Sequence, residues 1–553
     1  MKMPVKENMK HLKPDMAGKT MAHRFWFQFC AVCLSLYTAY VVYLSKSQLF
    51  VSTADTLCSL LLFLLIAAGL YGLLLFVCKK LSGLGKKGTL AAERKRGLQW
   101  VWLGSLMISA FVLGATFLRH YPGGVSYDAA NQWWQAHSGE YNNWHPVFHT
   151  LLIRLATLVV DRYPFVVLLQ IAVYALAAGY LTATLYRHGV SAWVALSVHA
   201  LVTLTPLVRN TLMYVWKDNA MTIGAVLLCA QTIRILMTRG EWLRQWRNAV
   251  CFGLMLAFTT LVRHNALLFT LPLVVIVVCC YVGSRRMAAL ACAVMVGCML
   301  LVRGPLYGAL DIVYPDNTVE EAVGLPMIVM GNIKQQQPDA LDEETHFFLG
   351  QLATDEEWMT VYRPNDYNAI KFTFPRELVG EREAMEILGM AARAAFKAPH
   401  TAFRAVNDTT DLVWGVDGQN EGVVTVSNSG DLPAESYGNA TLNGVGSSLC
   451  AVMEAPLKLP PLRWLTENIG VQQLLLLLVT LWALYRSGTA VLSLAFPTLI
   501  YNLATMLLLC GNDVRFFQFT MAIALPTILA MLVLSPVPQK EDVTDATQGK
   551  QNN

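Results

Sequence analysis

The sequence predicts an all-α polytopic membrane protein with about twelve transmembrane helices, and three observations carry that expectation. Of its 553 residues, 55% are hydrophobic and only 14% charged, with a mean hydropathy of +0.44. A soluble chain carries roughly a quarter charged residues. Apolar runs recur along the chain at about 16–23 residues, a length that crosses a bilayer with some tilt. The basic residues then cluster in alternate connections between those runs, as the positive-inside rule requires.

In chain order the spans are expected at 25–46, 56–78, 98–118, 163–186, 191–208, 217–237, 247–263, 265–283, 287–304, 471–486, 489–510 and 514–535. No small-residue cleavage site follows the first run, so it reads as a retained helix and not a removed signal. Lys2, Lys6, Lys10, Lys13, Lys19 and Arg24 precede it. Lys79, Lys80, Lys86, Lys87, Arg94, Lys95 and Arg96 fill the second connection. Arg234, Arg239, Arg244 and Arg247 fill a later one, and Arg285 and Arg286 another. Alternation from a cytoplasmic N-terminus places all of these inside and returns the C-terminus to the cytoplasm. Because the clusters adjoin membrane spans, the lipid bilayer with its anionic headgroups is their expected partner, and nucleic acid is not.

This gives a cytoplasmic tail (1–24), two N-terminal membrane helices with a basic loop (25–96), and a membrane core (97–304) with an external loop at 119–162. An external domain or lid (305–470), the C-terminal membrane helices (471–536) and a cytoplasmic tail (537–553) follow. Within the first external loop, 146–160 is apolar on a helical period but interrupted by His149 and Arg154, a pattern suited to a helix lying in the interface. The 305–470 segment mixes turn signals, a helical stretch near 376–398 and a Gly/Asn/Ser-rich portion near 415–448.

Ten of the twelve Cys lie in or at the ends of apolar runs, where they act as small hydrophobes. Cys450 and Cys510 are the two that could pair outside them. No Cys/His spacing of the metal-binding type occurs. No cofactor is therefore required by the sequence, and a divalent metal is left open.

The chemistry-bearing residues gather on one side once the topology is fixed. Asp128, Gln132, Trp133, Glu140, His145 and His149 occupy the first external loop. Lys217 and Asp218 open the sixth span, Arg263, His264 and Asn265 form a short turn between two apolar helices, Arg303 closes the ninth span, and Asp513 and Arg515 lie between the last two. Ionisable groups near lipid are costly and mark functional sites. Interfacial anchoring and capping would also place Lys, Arg and Asp at helix ends. Arg and Lys at this depth suit a lipid phosphate, a carboxylate suits removal of a proton from an incoming hydroxyl, and His could orient that base, touch the phosphate or hold a metal. Trp133-Trp134 with Tyr121, Tyr127, Tyr141 and Trp144 reads either as an interfacial belt or as a wall for a sugar ring.

These residues resemble the GT-C class of integral-membrane glycosyltransferases, which includes protein O-mannosyltransferases and aminoarabinose transferases. Asp128-Ala129-Ala130-Asn131-Gln132 resembles that family's acidic motif at the start of the first large loop, Gly139 its following glycine, and His145-Pro146-Val147 the motif opening its interfacial helix. Lys217-Asp218 resembles its second acid. The resemblance covers roughly 98–305 and, more weakly, 471–535. It implies a membrane enzyme moving a sugar from a polyprenyl-phosphate donor to a glycan, lipid or protein acceptor on the external face of the cell membrane. Asp128 and Asp218 are then the expected catalytic acids, with Asp128 as base. Lys217, Arg263, His264, Arg303 and Arg515 are expected to hold the donor phosphate. Gln132, Trp133, Glu140, His145, His149, Asn265 and Asp513 are expected to contact substrate. The chain departs from the family pattern in its two leading spans, its single Asp in the first motif, and a large external segment placed before the last three spans.

Two rivals stand beside this reading. An O-antigen ligase or polymerase would carry its chemistry in the large loop, whereas the sharpest motif here is in the early one. A lipid-linked substrate transporter or flippase would place charges near the midplane with inverted repeats, and the sequence shows neither.

Overall fold

In the computed structural model, residues 21–81, 94–315, 319–417, 423–437, 446–508 and 513–534 are described. Most of the expected tails (1–24 and 537–553), the basic residues Lys86 and Lys87, and Cys510 lie outside them. Among the described residues the chain is helical, with isolated bridges Gly124–Tyr214, Val125–Asn428 and Asn142–Val313 in place of strands.

Among the described residues nine helices are long and apolar enough to cross a membrane: His23–Lys46, Thr53–Leu81, Leu98–Arg119, Tyr163–Arg187, Lys217–Met237, Val282–Ala309, Ile469–Ser487, Thr489–Leu508 and Val514–Leu532. The protein is an all-α polytopic membrane protein. The other three expected spans form shorter helices, each for a local reason. The run at 191–208 gives Ala192–Leu204, stopped where Thr205 turns extended ahead of Pro206. The run at 247–263 gives Trp246–Leu261, and Arg263 is extended before the next turn begins. The run at 265–283 gives Leu267–Cys280, which continues through Pro272 and ends where Tyr281 leaves the helical conformation.

We number the helices through the core as α1 (Met21–Val42), α2 (Thr53–Leu81), α3 (Leu98–Arg119), α4 (Tyr127–Ser138), α5 (Val147–Thr157), α6 (Tyr163–Arg187), α7 (Ala192–Leu204), α8 (Pro206–Thr211), α9 (Lys217–Met237), α10 (Trp246–Leu261), α11 (Leu267–Cys280) and α12 (Arg285–Leu301). Helix α9 is the centre of the bundle. It packs against α6, α10 and the last helix, Gln518–Leu532. Its buried face carries small residues such as Gly224, where a Cβ would lie 2.3 Å from Thr259 Oγ1, so only glycine lets α10 come this close. Helix α5 buries Val147, His149, Thr150 and Ile153 while Leu155, with Leu158 and Val159 just beyond, stays exposed. That one-sided apolar surface suits a helix lying along a membrane surface.

The segment expected as a domain or lid divides in two. Residues 319–410 build a helical unit around their own core, in which Met327, Met330, Phe348, Trp358, Ile387 and Met390 pack together. Residues beyond 410 rejoin the bundle: Leu412, Val413 and Trp414 belong to the main core, and Glu454 accepts from both Arg119 (2.8 Å) and Arg209 (2.7 Å).

Candidate active site

The loop ahead of α4 fixes where its first acid points. Gly124 lies so close to Tyr214 that a Cβ would sit 2.5 Å from the ring. Ser126 caps α4 by accepting from the Ala129 N–H (3.2 Å), and the same hydroxyl accepts from Trp216 Nε1 (2.6 Å). A strap at 423–430 holds this loop from the other side. Asn428 Oδ1 accepts from the Val125 N–H (3.0 Å), and the Ser429 and Gly430 N–H groups donate to the Val125 carbonyl (2.8 and 3.0 Å). Asp128 thus sits in the first turn of a helix whose start is bound on two sides.

Three cationic or imidazole groups converge on Asp128. Arg515 Nη2 donates to Oδ2 at 2.9 Å, Lys217 Nζ is 3.8 Å from the same oxygen, and His145 Nε2 is 3.7 Å from Oδ1. Lys217 Nζ also donates to His145 Nδ1 at 3.0 Å. This assigns the imidazole proton to Nε2, facing the carboxylate. Arg515 is held by Asp513 Oδ2 (2.6 Å) and lies 4.7 Å from the Trp216 ring centre, and Trp216 stacks on Tyr214 at 3.9 Å. Tyr214 OH in turn donates to the Thr425 carbonyl (2.9 Å) and accepts from the Ser427 N–H (2.8 Å). A continuous chain of contacts therefore runs from the strap to Asp128.

Burial alone would raise the Asp128 carboxyl, but Lys217, Arg515 and His145 together outweigh it and hold the group well below the usual carboxylate range. The His145 imidazole is pushed down to about 3, first by burial and then by Lys217, against the opposing pull of Asp128. At neutral pH the acid is ionised and the imidazole is not.

A second layer lies beneath. Asp218 pairs with Arg263, and their side chains are 2% and 4% exposed. Arg263 Nε donates to Asn265 Oδ1 (2.6 Å) and its guanidinium covers the Phe516 ring at 4.4 Å. Asn265 Nδ2 donates to Tyr501 OH and Thr505 Oγ1, both at 3.1 Å. Lys217 and Asp218 are neighbours in sequence, yet one faces Asp128 and the other the interior.

The remaining expected residues are distributed around this centre. Gln132 is buried and joins α4 to α5, donating to Thr150 Oγ1 (3.0 Å) and accepting from His149 Nδ1 (3.2 Å). Trp133 points into the core against Tyr163, while its neighbour Trp134 faces outward. His264 is exposed and donates to the Asn143 carbonyl from Nε2 (3.2 Å). Arg303 is exposed on the π turn Val302–Leu306, near enough to His264 to act on its charge but outside the Asp128 cluster.

A cavity of about 880 Å³ opens over Asp128 and His145. Tyr127, Asn131, Trp134, Gln135, Glu140, Asn142 and Trp144 form its near wall. Glu320, Arg376, Glu377, Gly380 and Glu381 of the 319–410 unit form the opposite one. Those far-wall residues, with Ser126, Trp216 and the strap, carry no sequence signal that marks them. Among the described residues no three His, Cys, Asp or Glu side chains converge as a metal site. The cluster already contains Lys217 and Arg515, so its donor set does not fit a divalent cation.

No protein-family model and no curated protein matches the chain. Among solved structures, the arabinosyltransferase EmbB from Mycobacterium smegmatis aligns over 78% of this chain and 45% of its own, at 12% identity and a TM-score of 0.31. The chain thus covers less than half of that protein's length, and a likeness this loose establishes neither activity nor site.

Proposed function

We propose that the protein is a membrane glycosyltransferase of the GT-C kind, moving a sugar from a polyprenyl-phosphate donor to an acceptor hydroxyl with Asp128 as general base. The observation that carries this reading is an ionised carboxylate, bound by Lys217 and Arg515, at the floor of a large cavity beside the membrane helices. The motif resemblance of 128–132, Gly139 and 145–147 supports it independently.

Each residue has a distinct part. Asp128 Oδ2 is engaged by Arg515, whereas Oδ1 meets only the longer His145 contact and is the oxygen free to take a proton. As the acceptor oxygen bonds to the anomeric carbon, its proton passes to Oδ1. The bond from that carbon to the phosphate oxygen breaks, and the electron pair leaves with the polyprenyl phosphate. Lys217 and Arg515 stabilise the charge that gathers on the departing phosphate. Neutral His145 accepts from Lys217 Nζ and so holds the ammonium beside Asp128. Asp218 acts at one remove, by positioning Arg263 against the Phe516 ring.

The test is sugar transfer from radiolabelled polyprenyl-phosphate sugars by the full chain in nanodiscs. Asp128→Asn is expected to lower turnover by about 10²–10⁴-fold, the range for a general base, while still binding donor. Undiminished transfer by that variant overturns the assignment.

A further inference from the structure

Charge is unevenly distributed around the cavity above Asp128. At its floor Asp128 and His145 line it, and the charge of Asp128 is balanced by Lys217 and Arg515 behind it. The rim holds Glu140 and, from the 319–410 unit, Glu320, Glu377 and Glu381, with Arg376 as the single cation between them. None of these four carboxylates enters an ion pair among the described residues. An anionic group is therefore opposed where these carboxylates lie.

Between floor and rim the lining changes character. Tyr127, Trp134 and Trp144 present flat, amphipathic rings, and Asn131, Gln135 and Asn142 present amides that both donate and accept. Sugar hydroxyls also do both, and carboxylates accept from them strongly. Trp144 is itself covered by Lys371 of the 319–410 unit at 5.3 Å, so that unit fixes one ring of the near wall as well as supplying the far one. At about 880 Å³ the cavity is near the top of the range for small-molecule sites, about 300–1,000 Å³. Once a donor phosphate and its sugar occupy the floor, the polar outer part remains for the acceptor.

We propose that this outer part is an acceptor subsite for a glycan lacking acidic groups, and that Glu377 and Glu381 select against anionic glycans. The proposal rests on the glycosyltransferase reading and adds the acceptor class to it. Hydroxyls of a neutral or amine-bearing sugar satisfy the amides and carboxylates, and its apolar ring face lies on Trp134. A uronate or phosphate at the same place meets the rim carboxylates with Arg376 as the one cation in the lining, since Lys371 is already paired with Glu321.

The experiment uses the full chain in nanodiscs on an array of oligosaccharides that are neutral, amine-bearing or uronate-bearing. Binding of polyprenyl phosphate is measured separately. The wild type is expected to bind the neutral and amine-bearing classes at least about tenfold more tightly than the uronates, the factor set by one or two charge-assisted contacts. The double variant Glu377→Gln/Glu381→Gln is expected to lose about tenfold of that discrimination. Trp134→Ala weakens every glycan, with polyprenyl phosphate binding retained. Equal binding of uronates by the wild type overturns the proposal, as does discrimination unchanged in the double variant. If glycans bind selectively while Asp128→Asn still transfers sugar at full rate, the subsite stands and the base assignment falls.

Discussion

Asp218 and Arg263 form an ion pair that is almost entirely removed from solvent, and its energetics separate a positioning role from direct contact with substrate. Replacing either partner alone strands the other charge in the bundle, which costs about 3–5 kcal/mol. Asp218→Leu leaves Arg263 with Asn265 (2.6 Å) and the Phe516 ring (4.4 Å) as its remaining contacts. Arg263→Met leaves Asp218 with 2% of its side chain exposed and no cation beside it. Removing both charges takes away both penalties. What is then lost is the Arg263–Asn265 bond, a charge-assisted contact of about 1.5–3 kcal/mol, partly offset because Asn265 keeps Tyr501 and Thr505. The double variant should therefore be no worse than either single one, a coupling of at least about 3 kcal/mol. Unfolding in mixed micelles, followed by tryptophan fluorescence, measures the cycle, and sugar transfer on the same samples measures function. Additive destabilisation would refute the pairing argument. A double variant that is folded yet inactive would show that one of the two touches substrate.

Three further outcomes follow from the same contacts. Tyr214→Phe removes the hydroxyl shared by Thr425 and Ser427 and leaves strap groups unsatisfied at about 1–3 kcal/mol; faster hydrogen exchange at 423–437 with lower turnover is expected, and unchanged exchange counts against the strap. Because the His145 imidazole is held down near 3, below its unfolded value of about 6.5, the unfolded chain takes up a proton that the folded one refuses. His145 therefore lowers stability as pH falls from about 6.5 toward 3, and the activity profile between pH 5 and 8 should carry no His145 limb; an inflection near 6.5 that vanishes in His145→Gln contradicts this. A Cβ on Gly446 would lie 2.3 Å from the Ala115 carbonyl oxygen, whereas one on Gly114 meets nothing within 4 Å. Gly446→Ala should thus lower the thermal midpoint by an amount equivalent to about 1–3 kcal/mol and Gly114→Ala should not, and equal responses would be evidence against this packing.

The helical membrane class and the side-by-side placement of Asp128, Lys217 and Arg515 were legible because both follow from coarse signals. Long apolar runs set the spans, and basic loops set which helix ends share a face. Finer placement was not legible. Trp133 and Trp134 are separated by one helical step of about 100°, which sends one into the core and the other into the cavity. In a twelve-residue helix of mixed composition, no period reveals which is which. Lys217 and Asp218 divide in the same way at the start of α9. The strap left no trace because it works largely through backbone groups and the Asn428 amide. Arg209 escaped notice inside an apolar stretch, since its partner Glu454 is distant in sequence.

The balance of charge at the floor bears on how a carboxylate held so far down can act as a base. Asp128, Asp218 and Asp513 face Lys217, Arg263 and Arg515, so the formal charges of the cluster balance and each acid has at least one basic side chain beside it. In that state Asp128 is ionised but weakly basic, because any proton it accepted would break its pairing with Arg515. On the proposed reading a donor phosphate brings negative charge to the same two cations. Arg515 and Lys217 then divide their attraction between the phosphate and Oδ2, and a second anion stands beside the carboxylate. Loss of an opposite charge and gain of a like one both raise a carboxyl. Under that proposal the base becomes competent only when donor is seated, and the cations that restrain it at rest are the ones that would stabilise the leaving phosphate. Asp218 and Asp513, paired with Arg263 and Arg515, would keep those cations in place through the proposed exchange, giving the two further acids a positioning part beside the one base.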